Sequence, residues 1–534
     1  MSTKLEKLVE EYLEEDRKLN PVSSTFEGIH DYDDLWDDYG PEGLERYLAH
    51  YVDWRGKFDG AADDLGPTEG IDLDYLRSSF TSKELYFREL DVLGKNPLWA
   101  VNTVIYGLYI MLVRNYAPAA ERAESVVARL ESVPAFLEGA KKSLKGPVEL
   151  YTNIVSEMID SGSGFVGTVL PEAFAGTPSG GRIADAGPKA AQALLDFVAY
   201  AKGLSQSPDY AAGTEVFDAL LTEVHLLDYD ADGLLNFGRE MFDAINGQMA
   251  ELADKIEPGA APGDILARLK ENRPTADEVL DFYVDLMNQT KQFVIDNGIV
   301  TIPSNEVLEV VETPEFERST IPFAAYMPPA PYEDDQRGFF YVTPVDPEAP
   351  EDEIEQKLKG HFKNKALITA LHEGYPGHHL QICVANAHPN PVRKESGSTV
   401  FIEGWALYCE EMLREQGLYT DDETVLVQKR DKLWRAARVI IDASLHTGRM
   451  TYDEAVAFLV ENVKMEPITA EAEVKRYSYT PTQPMSYLVG EYEIYKILEK
   501  YRTANPDATL KEFHDELISH GSLPPALVGR EMVG

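Results

Sequence analysis

The sequence predicts a mainly α-helical protein with one small antiparallel β-sheet, on three observations. Long stretches place apolar residues at three- and four-residue spacing, the period of an amphipathic helix. Only two short runs, both between Thr301 and Pro344, alternate in the manner of strands. At 534 residues and 44% hydrophobic, the chain has an ordinary globular composition and enough length for a large core.

In chain order, the helical period runs through residues 4–19, 43–58, 119–144, 188–205 and 276–297. Residues 162–188 are rich in Gly, Ser and Ala, which predicts a surface loop. The strands are expected at 323–327 and 338–343, separated by prolines and by Asp334-Asp335-Gln336-Arg337. An edge strand of such a sheet could pair with an extended peptide. Helices are expected again over 354–383, 399–416, 425–447, 451–464 and 484–501. The chain is therefore expected to divide into a helical lobe (1–300) covering a cleft and a lobe (301–534) holding the sheet and the chemistry.

Three of the eleven histidines fall in one short segment, HEGYPGHHLQ: His372, His378 and His379. Imidazoles and carboxylates are what a catalytic zinc site uses, and a His-Glu pair offers one ligand and one general base. The spacing departs from HExxH, where the histidines sit one turn apart. On a straight helix His378 would be rotated about 600° from His372, and His379 would lie about 10 Å further along the axis. Both rings can share an ion only if the helix is broken. Pro376 has no N–H and pushes a helix open, and Gly377 tolerates the resulting dihedrals. A bulge of two residues there would bring His378 to the place of the second HExxH histidine. The competing reading is a histidine-rich helix end near exposed carbonyls.

Downstream, EGWALYCEE puts Glu403 and Glu410 on one helix face. Glu403 is the expected third metal ligand, and Glu410 the carboxylate that orients a ligand histidine, with His379 a second flanking group. Glu373 points elsewhere than His372 and is the natural base for a water acidified by the metal. Arg438, Asp442 and His446 share a face of RVIIDASLH and are expected to wall the site. Tyr487 opens a helix after a Pro-rich loop, and it or His446 would stabilise an oxyanion. Arg438, Phe339 and Tyr341 are candidates for substrate binding. Core packing is the alternative for any one of the 28 tyrosines.

A net charge of −43 argues against nucleic acid or an anionic membrane surface as partner. No run of about 18 apolar residues is present, so no membrane span is expected, and the acidic N-terminal helix lacks the apolar stretch of a signal peptide. Only Cys383 and Cys409 occur, which points to a reducing, cytoplasmic location.

The motifs HEGYPGHHLQ, EGWALYCEE, RVIIDASLH and PTQPMSYLVG, with Gly28-Ile-His-Asp-Tyr-Asp-Asp-Leu and Arg337-Gly-Phe-Phe-Tyr, resemble the bacterial domain of unknown function 885 family along most of the chain. The resemblance implies a zinc-metallopeptidase-like protein, with a multi-helical fold similar to carboxypeptidases and oligopeptidases of the gluzincin type. It favours His378, directly after Pro-Gly, over His379, and it matches Glu403 to the glutamate of the EGW motif. Pro484 and Cys409 depart from its usual pattern, and neither touches the expected metal site.

The resulting expectation is a zinc-dependent hydrolase of short peptides, with one ion per chain held by His372, His378 and Glu403. The alternatives are a zinc amidase or esterase acting on a small molecule, and a binding protein stapled by a metal. A closed four-ligand site would mark the last.

Overall fold

The computed structural model describes residues 3–314, 318, 321, 323–346 and 348–534. The chain is mainly helical, with a three-stranded sheet, and it packs as two compact units. The first comprises Met1–Ala212 with Ala330–Asp335, and the second Gly213–Pro329 with Gln336–Gly534. Helices between Thr214 and Asp296, which the sequence reading gives to the first lobe, pack within the second unit.

In the first unit, the expected loop at 162–188 is a correction. The Glu149–Gly164 helix continues through a wide turn at Phe165–Val169 into Leu170–Ala173, and a new helix, Gly180–Gly203, begins before Pro188. The small residues serve close packing. A Cβ on Gly187 would fall 2.6 Å from Pro171 and 2.9 Å from the Val166 carbonyl, and one on Gly167 would fall 2.9 Å from Ala191. Composition alone cannot separate such an interface from a loop, because both favour Gly and Ala.

The second unit holds the sheet, ordered β1 (Val307–Glu312), β3 (Arg337–Val342), β2 (Ala324–Met327). β2 and β3 are antiparallel, as the sequence predicts, but β1 runs parallel to β3, so the sheet is mixed. β1 escapes the alternation test because its inner four residues are all half-buried, with only its ends exposed. β3 is central and paired on both sides, which leaves β1 and β2 as the edges. Phe340 and Val342 pack against Val279, Tyr283 and Met287 of the Val279–Asp296 helix and Ala366 and Ala370 of the Lys363–Glu373 helix. That contact seats the helix carrying His372 on the sheet.

Candidate metal centre

The expected helix over 354–383 is three helices: Glu351–Gly360, Lys363–Glu373 and His378–Asn386. The interruption at Pro376-Gly377 that the spacing requires is present, and it is wider than a bulge, since it takes in Gly374 to Gly377. The chain folds back tightly on the end of the first helix. A Cβ on Gly377 would lie 1.8 Å from the His372 carbonyl oxygen, so only glycine permits this turn. The Gly377 N–H bonds the Leu371 carbonyl at 3.0 Å, and the Trp405 indole N–H bonds the Pro376 carbonyl at 2.8 Å.

This turn delivers His378 beside His372, with ring centroids 4.8 Å apart and planes nearly perpendicular at 87°. The Thr399–Glu415 helix, capped by Ser398, supplies Glu403. One ligand-capable atom from each of His372, His378 and Glu403 lies within 4.8 Å of the others. His378 Nε2 is 3.3 Å from Glu403 Oε2. Two ligands on a tetrahedral zinc with bonds of about 2.0–2.1 Å stand about 3.4 Å apart, so this pair is already at ligand spacing. His372 Nδ1 is 2.8 Å from Glu410 Oε1, which leaves its Nε2 for an ion. Glu410 Oε2 and His378 Nδ1 are buried without a hydrogen-bond partner. Two imidazoles, one carboxylate and a supporting carboxylate are a donor set that fits zinc.

Electrostatics agree with that fit at His372 and Glu403, while His378 and Glu410 are drawn toward their protonated forms. Burial holds His372 down to about 4, in the neutral form a metal needs. Burial would lower His378 too, but Glu403 and Glu373 outweigh it and raise its proton affinity. Burial opposes the Glu403 carboxylate, yet His378, His372 and Tyr487 bring it down to about 2. Glu410 is pushed up to about 8, chiefly by burial. Glu373 ends its helix half-buried, close enough to act electrostatically on both imidazoles.

The remaining candidates separate. Tyr487 stands by Glu403, with the Arg438 guanidinium 4.7 Å over its ring, and burial and Glu403 keep its hydroxyl protonated. Asp442 reaches it through the backbone: its carboxylate accepts the Thr482 and Met485 N–H groups at 3.1 and 3.2 Å, fixing the turn that starts the Tyr487 helix. His446 is stacked on Phe217, and its Nε2 is 2.9 Å from the Tyr477 carbonyl oxygen. The Arg438 guanidinium is buried against the Tyr477 hydroxyl (2.9 Å) and Glu473 (3.1 Å), an internal tie. Phe339 and Tyr341 stack on each other on the face of β3 opposite Gly338 and Phe340, and Gly338 is the residue that meets His379. His379 itself is fully buried and turned to Glu306, at 2.8 Å.

Glu306, its partners Lys291 and Tyr375, and Tyr326 on the other nitrogen of His379 have no signal of their own in the sequence. Tyr375 lies inside the histidine motif and was open to notice. Glu306 stands alone, far upstream of that motif, in a segment with no pattern of its own.

A family described as "Bacterial protein of unknown function (DUF885)" matches residues 21–532. The chain belongs to the DUF885 family. Two solved structures share its fold. The first, "a putative lipoprotein of unknown function from Shewanella oneidensis", is 22% identical with a TM-score of 0.84, covering 100% of both chains. The second, "the putative lipoprotein from Colwellia psychrerythraea", is 17% identical with a TM-score of 0.83, covering 100% of this chain and 99% of that one. No curated protein matches. The cytoplasmic expectation is corrected by these neighbours, because lipoproteins are membrane-anchored or secreted. Cys383 and Cys409 are buried free thiols. A core this large needs no disulfide in any compartment, so a low cysteine count was weak ground. Among the described residues no single helix is long and apolar enough to cross a membrane.

Proposed function

We propose that the chain is a zinc-dependent hydrolase of peptide bonds acting on short peptides, with a gluzincin-like catalytic arrangement. One observation carries this reading: His372, His378 and Glu403, from three separate helices, converge at ligand spacing, with Glu373 close enough to act electrostatically on both imidazoles. Bound zinc would polarise the scissile carbonyl and acidify the attacking water. Glu410 fixes the tautomer and direction of His372. Glu373 takes the proton from the water and passes it to the leaving amine. Tyr487 donates a hydrogen bond from its hydroxyl to the oxygen that gains charge.

A closed structural site would need a fourth side chain. His379 is committed to Glu306 and Glu410 to His372, which favours an open position and hence catalysis. Peptide as substrate draws support from a cavity of about 380 Å³ beside β1, which is an edge strand among the described residues, bounded by Met287, Lys291, Leu308, Val310 and Tyr375. An extended peptide could add there as a strand.

The test joins metal analysis to a mixed-peptide digest read by mass spectrometry. About one zinc per chain is expected, lost in His372→Ala and in Glu403→Ala. Glu373→Gln should keep the metal and lose hydrolysis by about 10²–10⁴. Full zinc occupancy in both ligand variants, or wild-type turnover in Glu373→Gln, refutes the assignment.

A further inference from the structure

We propose that Glu306 is a positioning residue of the metal centre, a single carboxylate that brackets His378 by holding the residues on both sides of it. The proposal rests on the metal-binding reading of His372, His378 and Glu403. Glu306 Oε2 accepts the Tyr375 hydroxyl at 2.6 Å, three residues before His378, and lies 2.8 Å from Nε2 of His379, the residue after it. Its Oε1 accepts Lys291 Nζ at 2.6 Å. His379 Nδ1 is 3.1 Å from the Tyr326 hydroxyl on β2, so with Nε2 protonated the ring donates to Glu306 and accepts from Tyr326, with the Cys383 sulfur 3.8 Å from both nitrogens. The side chains of Glu306 and His379 are 2% and 0% exposed, so these charge-assisted bonds are shielded from water.

The need for such a device follows from the broken spacing. In HExxH a rigid helical turn sets one histidine against the other. Here four residues with glycine at both ends, Gly374 to Gly377, set His378 against His372, and glycine dihedrals are soft. External groups must therefore fix the turn. Trp405, two residues from Glu403, holds the Pro376 carbonyl on one side, and Glu306 holds Tyr375 and His379 on the other. Glu306 is itself fixed, because it leads directly into β1 and the β1–β3 ladder begins at the next residue. Gly338 of β3 completes the seat: a Cβ there would stand 2.8 Å from His379 Nδ1. The sheet thus acts as the rigid body against which the metal site is aligned.

The test compares wild type, Glu306→Ala, Glu306→Gln and Leu459→Ala, the last a destabilising control in a fully buried position outside the network. Three quantities are read: zinc affinity by chelator competition, the visible spectrum of the cobalt-substituted protein, and amide exchange of Gly374, Tyr375 and Gly377 without metal. Glu306→Ala should weaken zinc by about 10–100-fold, shift the cobalt bands and speed exchange at the turn. Glu306→Gln should recover part of each, since its amide oxygen still accepts one of the two bonds. Unchanged affinity and spectrum in Glu306→Ala overturn the proposal, as does an equal loss in Leu459→Ala. Wild type that binds neither zinc nor cobalt overturns the metal reading instead. Exchange then judges the clamp alone, and a turn still protected in Glu306→Ala overturns it. If Glu306→Ala does not fold, Tyr375→Phe removes one of the two anchors and should give a several-fold loss with the same spectral shift. No change in Tyr375→Phe counts against the proposal.

Discussion

Gly490→Ala tests whether the approach of two helices sets the position of Glu403. The Thr399–Glu415 and Ser486–Ala504 helices meet at Gly404 and Gly490. A Cβ on Gly490 would lie 1.9 Å from the Val400 carbonyl oxygen and 2.7 Å from Gly404 Cα. Relief to an ordinary contact of about 3.4 Å requires the backbones to part by about 1.5 Å, because no flexible side chain can give way. Overpacking of this kind costs about 1–3 kcal/mol, and a backbone obstacle belongs at the upper end. The gain in helix propensity on replacing glycine with alanine offsets at most about 1 kcal/mol. The net expectation is about 2 kcal/mol of destabilisation. The same separation pulls Tyr487 from Glu403, and Glu403 from the two histidines, so zinc affinity should fall as well. Urea unfolding followed by tryptophan fluorescence reads the first effect and chelator competition the second. Gly247→Ala is the control: it lies in the Ala231–Ile256 helix with nothing within 4 Å of its Cβ, so it should be neutral or stabilising by up to about 1 kcal/mol. Wild-type stability and zinc affinity in Gly490→Ala would refute the argument that this contact places the ligand.

Other outcomes follow from neighbouring contacts. Glu410→Ala frees Nδ1 of His372 and should weaken zinc by about 10–100-fold without removing a ligand, measured by chelator competition. Tyr487→Phe should lower kcat while leaving zinc content unchanged, because in the proposed mechanism the hydroxyl acts on the transition state. Arg438→Met strips one of two arginine partners from Glu473, leaving Arg476 at 2.9 Å, and should destabilise in urea unfolding by less than the roughly 3–5 kcal/mol of a buried charge left unpaired. Burial opposes the Glu473 carboxylate, but Arg438 and Arg476 hold it at about 2, below its ordinary 4.5. A lowered carboxylate pKa contributes stability above pH 4.5 that is lost as pH falls towards 2, so the fall in stability over that window should be shallower in Arg438→Met.

What the sequence alone determined is local. Helical period marks the helices, and the impossibility of a straight HExxxxxH helix demands a break where Pro376-Gly377 permits one. Residue chemistry singles out His372, His378 and Glu403, and these are the groups that meet. The tertiary structure decided everything that depends on remote partners. His379 is as good a ligand as His378 by chemistry, and it is the Glu306 carboxylate that turns it away. His446 and Arg438 carry the polar character of a site wall, yet Tyr477, Phe217 and Glu473 engage them internally. The glycines of 162–188 read as a loop because a sequence cannot show that Pro171 and Ala191 press against them. β1 went unseen because a half-buried edge strand has no alternation to display. Periodicity and spacing record forces between near neighbours in the chain. Hydrogen bonds and packing between residues far apart in sequence leave no such record, and here those forces choose which histidine faces His372 and Glu403.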